Sequence, residues 1–164
     1  MAIFRDDSDD FQRLDWQLLQ NGAITLYHRN EILLNDVEWL KTYGYYIDNF
    51  DCSFWENEEI MHDVFAGLLE FPHYYGQNLD AFNDCLSDID IPNESGRAFI
   101  FQRYDMFADR MPKVAWHILD IIENQSRMHL LFGKRLVALV QTDNLHIKFD
   151  PIGCRGVSWN RQEP

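Results

Sequence analysis

Five short stretches of the chain are either apolar throughout or alternate between apolar and polar residues, a pattern that predicts strands. They are residues 23–28, 45–50, 98–101, 136–141 and 145–149. Residues 142–144 favour a turn, so the fifth stretch is expected to form a last strand paired with the fourth. The sequence after Gly153 shows no periodic pattern.

Apolar residues at helical spacing predict helices between these strands. One predicted helix starts at Asn35, where Glu38 completes a capping box, and ends at Gly44. Another starts at a similar box at Ser53 and is stopped by Pro72. Further expected elements are an amphipathic stretch at 11–19, a helix capped by Asn78, a short helix or loop at 104–110, a helix at 112–125, and a helix end or strand at 129–132.

From residue 45 the predicted order is strand, helix, helix, strand, helix, strand, which indicates a small parallel sheet covered by helices. A hydrophobic content of 46% with 15% aromatic residues favours a folded domain. For 164 residues we expect one domain. Residues 1–44 would form a strand–helix extension packed on or beside the core, residues 45–150 the domain, and residues 151–164 a tail.

The net charge of −13 is concentrated in one part of the chain. Residues 42–96 contain twelve acids and no Lys or Arg, whereas residues 97–164 have a small excess of bases. A surface of one sign attracts a partner of opposite charge and repels nucleic acid phosphates. The sequence therefore predicts a basic protein partner and argues against nucleic acid as the ligand.

Several other classes of function find little support in the sequence. The N-terminus lacks the pattern of a signal peptide, and no apolar run has the length of a membrane span, so we expect a cytoplasmic protein without a membrane partner. The three cysteines have no CxxC spacing and are expected to be reduced thiols. We expect no metal, no cofactor and no small-molecule substrate.

The centre of the acidic tract has a regular arrangement of carboxylates. Asp80, Asp84 and Asp88 follow the Asn78 cap at intervals of four residues, so they share one helix face. Like charges at this spacing cost about 0.2–0.5 kcal/mol each. A solvated helix face without a function is one interpretation. The neighbouring Tyr74, Tyr75, Gly76, Asn78 and Asn83 favour a recognition surface, with Gly76 expected to supply a positive φ angle.

Residues 71–86 read FPHYYGQNLDAFNDCL. This stretch resembles the signature of the barstar family, in which Tyr-Tyr-Gly is followed by Asn-Leu-Asp-Ala and then by Asp-Cys-Leu. The element order of residues 45–141 also resembles the barstar fold, a three-stranded parallel sheet with helices. The resemblance thus implies an α/β protein with three parallel strands covered by helices. Residues 1–44 and the segment after about 142 lie outside the resemblance, and their own patterns predict a strand–helix extension and one extra C-terminal strand.

The resemblance also implies a function, namely that of an intracellular inhibitor, or immunity protein, of a basic ribonuclease or nuclease toxin. In the family, a helix and its preceding loop occupy the active site of the nuclease. The position of Asp84 fills the phosphate pocket, and that of Asp80 pairs with basic residues of the enzyme. The partner-binding residues implied for this chain are Tyr74, Tyr75, Gly76, Asn78, Asp80, Asn83, Asp84, Ser87, Asp88 and, on the later helix, Glu123.

Two departures from the family pattern affect the choice of partner. Asn83 stands where the family has Trp, and Asp88 with Ile89 replaces Gly-Trp. The nuclease therefore need not be a close relative of barnase. An alternative is an acidic interaction module that binds a basic protein other than a nuclease. An acid–base enzyme ranks last, because Asp80 and Asp84 lie on one helix and do not face each other across a cleft.

Overall fold

The computed structural model describes residues 4–163, which form one five-stranded sheet with helices on both faces. Its elements are α1 Ser8–Phe11, α2 Leu14–Leu19, β1 Ile24–Tyr27, α3 Asn30–Thr42, β2 Tyr46–Asp51, a 3₁₀ turn Cys52–Phe54, α4 Glu58–Leu68, α5 Leu79–Ser87, β3 Arg97–Gln102, α6 Tyr104–Arg110, α7 Pro112–Leu130, β4 Leu136–Gln141 and β5 Ser158–Trp159. The predicted strands at 23–28, 45–50, 98–101 and 136–141 are confirmed.

All neighbouring strands are parallel, in the order β2-β3-β4-β1-β5. The expected α/β class with a parallel sheet is confirmed, but the expected number of three strands is wrong. β4 is buried along its whole length, so both of its edges need a partner strand. β3 pairs with one edge and β1 with the other, which places the N-terminal strand inside the sheet.

The prediction of a strand at residues 145–149 is wrong, because β1 already occupies the edge of β4 that a hairpin would need. The backbone amide of Thr142 donates to the carbonyl oxygen of Tyr27 at 2.8 Å, which continues the contact with β1. The last strand is instead β5, which pairs with the outer edge of β1 through the register of Thr25 with Ser158.

The sheet has a hydrophobic core on each face. Strand residues alternate between the two, so that Phe99 and Phe101 join the core under α4–α7, while Ala98 and Ile100 join the smaller core under α2 and α3. The larger core is rich in aromatic rings, and Phe82 anchors α5 within it. α5 therefore lies on the α4–α7 side of the sheet, and α3 lies on the opposite side.

Two helix starts differ from the sequence prediction. α3 begins at Asn30 and not at Asn35, because Leu33, at 0% exposure, extends the buried stripe by one turn. α4 is capped by Asn57 and not by Ser53; the Asn57 side chain accepts a hydrogen bond from the Ile60 amide at 2.9 Å. The capping of α5 by Asn78 is confirmed, residues 104–110 are helical, and α7 continues to Leu130.

Candidate functional site

α5 begins at a well-formed cap. The Asn78 side-chain oxygen accepts a hydrogen bond from the Ala81 amide at 2.8 Å, and its side-chain nitrogen donates to the Gly76 carbonyl oxygen at 3.2 Å. Phe82 and Leu86 are fully buried on the inner side of the helix. One side chain therefore fixes both the start of α5 and the loop before it, and the outer face of the helix is left in solvent.

Three acids occupy this outer face. Asp80 and Asp84 are exposed within α5, and Asp88 is exposed at its C-cap. Across residues 4–163, no ion pair joins any of the three to a base. By contrast, Asp48 and Asp51 of the same acidic tract are paired with Arg97 and Arg103. The α5 face thus carries uncompensated carboxylates, as do other exposed positions of the tract such as Glu59 and Glu70, which likewise make no ion pair within residues 4–163.

The loop before α5 is held by side-chain contacts. The hydroxyl oxygen of Tyr75 lies 2.5 Å from Nδ1 of His62 on α4. The side-chain nitrogen of Gln77 donates to Asp63 at 2.6 Å. Tyr74, in the same loop, is 77% exposed. The loop therefore presents one aromatic ring outward and fixes the next one inward.

The expected positive φ angle is found at Gln77, with φ of 50°, and not at Gly76. Gly76 is still in a confined position, since an added Cβ would lie 3.2 Å from the side-chain nitrogen of Asn78. The interpretation of Gly76 as the source of left-handed backbone is therefore wrong, while close approach to the cap accounts for a residue without a side chain.

Asn83 and Ser87 are turned toward the protein's own atoms. Asn83 is half-buried, and its side-chain oxygen accepts a hydrogen bond from Gln125 of α7 at 2.8 Å. The Ser87 hydroxyl donates to the backbone carbonyl oxygen of Asp84 at 2.6 Å. Both side chains border the acidic face. The Asn83 bond ties α5 to α7, whereas the Ser87 bond lies within α5 and leaves Ser87 exposed.

Glu123 lies away from the other candidate residues. Its side chain is buried, with the residue 4% exposed, and one carboxylate oxygen accepts a hydrogen bond from the Ala23 amide at 2.6 Å. An added Cβ at Gly22 would approach the carboxylate to 3.0 Å, and one at Gly153 would overlap the Glu123 side chain. The chain's own terminal segments thus cover Glu123, whose carboxylate supports the fold.

Burial changes the acidity of three groups around α5. It raises the pKa of Tyr75, an effect to which the nearby Cys85 adds. It also raises the pKa of the Cys85 thiol, with further contributions from the charges of Asp84 and Asp88. Burial lowers the pKa of His62, against the opposing effect of Glu58 and Asp63. The phenol and the thiol therefore stay neutral near pH 7 and add no charge to this surface.

The remaining surface offers fewer indications of chemistry. Within residues 4–163, no group of three or more His, Cys, Asp or Glu side chains is arranged to hold a metal ion, and no helix is long and apolar enough to cross a membrane. A cleft of about 460 Å³ lies between α6, the start of α7 and residues 144–150. Its lining includes no residue of α5 or of the loop before it.

The sequence patterns did not identify the residues of α4 and α7 whose side chains contact the site residues. His62, Asp63 and Gln125 come from α4 and α7, and they contact Tyr75, Gln77 and Asn83 across separations of 13 to 42 residues. His62 is buried in α4, at 1% exposure. No local signal in the sequence marks these partners.

Two known sequences or families match parts of this chain. The family model described as Barstar (barnase inhibitor) matches residues 45–140. A curated protein of Bacillus subtilis (strain 168), named "Putative ribonuclease inhibitor YrdF", is 53% identical to this chain over 38 residues. That match covers 23% of the chain and 42% of the Bacillus protein, so the chain aligns with less than half the length of this relative.

Proposed function

The chain belongs to the barstar family, and from this premise we propose that it inhibits a ribonuclease by covering the enzyme's active site with α5 and the loop before it. The observation that carries the proposal is the α5 face: Asp80 and Asp84 are exposed and have no base paired with them in residues 4–163, and the loop before α5 presents the exposed Tyr74.

The charge of this face fits a ribonuclease. An enzyme that cleaves RNA must bind phosphates, so its active site is cationic, and an acidic surface is steered toward it. In the proposal, Asp84 takes the place of a substrate phosphate and Asp80 pairs with a neighbouring base of the enzyme. Tyr74 supplies the aromatic contact area that is typical of the centre of an interface.

The rigidity of the site favours tight binding. The cap at Asn78, the contact of Tyr75 with His62 and the hydrogen bond between Gln125 and Asn83 fix α5 and its loop in the free protein. Ordering flexible side chains and loops on binding costs free energy, and a fixed surface avoids most of that cost. We propose an immunity protein that acts in the cytoplasm on a basic ribonuclease or nuclease toxin.

The test is RNA cleavage by barnase and by a panel of small basic ribonucleases, with and without the purified chain. We expect inhibition of at least one enzyme, and we expect Asp84→Ala to weaken it by about 2 kcal/mol or more, as for a central interface residue. Glu38→Ala is the matched control, because it removes the same charge from an exposed position of α3, on the opposite side of the sheet.

Equal inhibition by the wild-type and Asp84→Ala proteins would contradict the assignment of the site. Binding to a basic protein that is not a nuclease, without inhibition of any ribonuclease, would instead support the acidic interaction module. Because Asp84 has no ion-pair partner in the described part of the chain, its replacement should leave the folded state intact, and lost inhibition can be read as lost contact.

A further inference from the structure

The cleft between α6, the start of α7 and residues 144–150 has the size of a small-molecule site. Its volume is about 460 Å³, and ligand pockets typically measure about 300–1,000 Å³. The cleft borders the carboxyl end of the sheet, because α6 follows β3 directly and residues 144–150 follow β4. In open sheets of parallel strands, ligands bind outside the carboxyl ends of the strands. Size and place in the fold thus agree on a ligand site.

One wall of the cleft is a face of α7. Lys113, Trp116 and His117 all line the cleft, and their spacing of three and four residues places them on one side of the helix. The indole nitrogen of Trp116 donates to the backbone oxygen of Asp150 at 3.2 Å, so the ring is tethered to the segment that follows β4. This wall therefore combines an ammonium group, an imidazole and a tethered aromatic ring.

The segment after β4 provides a second wall with the same combination. His146, Lys148 and Phe149 line the cleft from this segment. Aromatic side chains offer flat surfaces on which nucleobases stack, and lysines bind phosphates as point charges. Imidazoles can donate or accept hydrogen bonds. A ligand that suits both walls therefore has a planar ring and an anionic group.

The charged side chains that line the cleft are not paired with one another or with the rest of the protein. Lys113 and Lys148 make no ion pair within residues 4–163, and neither do Asp109 and Asp150, the two acids of the lining. Two bases and two acids cancel, so a simple anion gains little net attraction. A ligand that matches both signs has an anionic group for the lysines and hydroxyl or amino donors for the carboxylates.

Charged side chains that flank the cleft are engaged with the protein itself. Arg110 donates to the carbonyl oxygen of Ser53 at 2.7 Å. Asp120 accepts the amide of Gly153 at 2.8 Å, and Asp143 accepts a side-chain hydrogen bond from the end of β4 at 3.0 Å. The lining residues therefore determine which ligand fits.

We propose that this cleft binds a ribonucleoside monophosphate. The base stacks against the rings of Trp116 and Phe149, and the phosphate is bound by Lys113 and Lys148. The two carboxylates accept hydrogen bonds from the ribose hydroxyls, as acidic side chains do in other nucleotide sites. A single nucleotide fits better than an RNA strand, because the net charge of −13 repels a row of phosphates.

The cleft is remote from the acidic face of α5. Gln125 and His129 of α7 contact α5, whereas Lys113 lies twelve residues before Gln125, about 18 Å away along the helix axis. The lining of the cleft includes no residue of α5. This proposal is therefore independent of the proposed function, and both sites can be occupied together.

The test is isothermal titration calorimetry of the full chain with the common ribonucleoside 5′-monophosphates, with the matching nucleosides and with inorganic phosphate. We expect at least one monophosphate to bind with a Kd of about 1 mM or tighter, and about tenfold more tightly than its nucleoside or phosphate alone.

Lys113→Ala/Lys148→Ala should weaken this binding about tenfold or more. The matched control is Lys41→Ala/Lys134→Ala, which removes the same charge from the other two lysines of the chain, neither of which lines the cleft. It should bind like wild type, and circular dichroism of both variants should match that of wild type.

Other outcomes would overturn the proposal. Equal affinity for phosphate and for every monophosphate would show that the base is not recognised, and equal affinity for the nucleosides would show that the phosphate is not. Much tighter binding of a single-stranded oligoribonucleotide would identify an RNA surface instead. Absence of binding by wild type at millimolar concentration, or unchanged binding by Lys113→Ala/Lys148→Ala, would place no nucleotide in this cleft.

Discussion

Replacing Glu123 and Asp84 in turn should separate the residues that hold the fold from those that bind the partner. Glu123 is a buried carboxylate that accepts the Ala23 amide at the start of β1, and its side chain lies against Gly153 of the C-terminal segment. Asp84 is exposed and makes no ion pair within residues 4–163. We expect Glu123→Ala to lower stability without a direct effect on inhibition, and Asp84→Ala to do the reverse.

The magnitude for Glu123 follows from its contacts. Truncation removes a charge-assisted hydrogen bond and leaves the amide of the buried Ala23 without that acceptor, at a cost of about 2–3 kcal/mol. Glu123→Gln keeps a carbonyl oxygen for the same amide and should cost only about 1 kcal/mol. In a chain of this size, each kcal/mol lowers the melting temperature by about 2–4 °C, so we expect a loss of about 4–12 °C for Glu123→Ala.

The assay pairs thermal and urea unfolding, followed by tryptophan fluorescence, with inhibition of RNA cleavage at a temperature where every variant is folded. For Asp84→Ala we expect a melting temperature equal to or slightly above that of wild type, because like charges four residues apart on a helix repel each other. The reasoning would be refuted if folded Glu123→Ala lost its inhibition as Asp84→Ala does, or if its unfolding matched that of wild type.

Two further predictions concern the support of the site. Asn78→Ala should lower the free energy of unfolding by about 1 kcal/mol and weaken inhibition. The control Asn57→Ala removes the equivalent cap of α4 and should lower stability by a similar amount while leaving inhibition unchanged. Equal inhibition by both variants would contradict the role of Asn78 in holding the loop. Since burial lowers the pKa of His62, the unfolded chain takes up the proton first, and urea unfolding should show stability falling as the pH drops below about 6.5. The loss of stability at low pH should be smaller in His62→Gln. An identical pH dependence of stability in wild type and variant would contradict the role given to His62.

The parts of the fold that the sequence predicted are those determined by local interactions. The cap at Asn78 depends on a hydrogen bond to a residue three positions on, and the alignment of Asp80 with Asp84 depends only on the helical repeat. Even local patterns failed where two of them competed. The capping box at Asn35 lay inside a longer apolar stripe that includes Leu33, and burial of that stripe determined where α3 begins.

The parts that the sequence did not predict depend on contacts between distant segments. The pairing of β1 with β4 joins residues more than 100 positions apart, and no periodicity in either strand specifies its neighbour. The burial of Glu123 also depends on distant segments, because the pattern of α7 alone is compatible with an exposed side chain at this position. Its burial requires β1 and residues 152–153 to close over α7, and those segments have no common local signal with Glu123.

Because α7 contacts β1 through one set of side chains and α5 through another, the terminal segments can enlarge the sheet without changing the acidic face. On one side, Glu123 of α7 bonds to the start of β1. On another side, Gln125 and His129 of α7 bond to Asn83 and to the carbonyl oxygen of Leu86 on α5. β1 and β5 add to the edge of β4, whereas α5 lies on the α4–α7 face and leads into β3 on the other side of β4. The added strands therefore enlarge the structure at one sheet edge, and α5 keeps its exposed carboxylates at a surface that they do not cover.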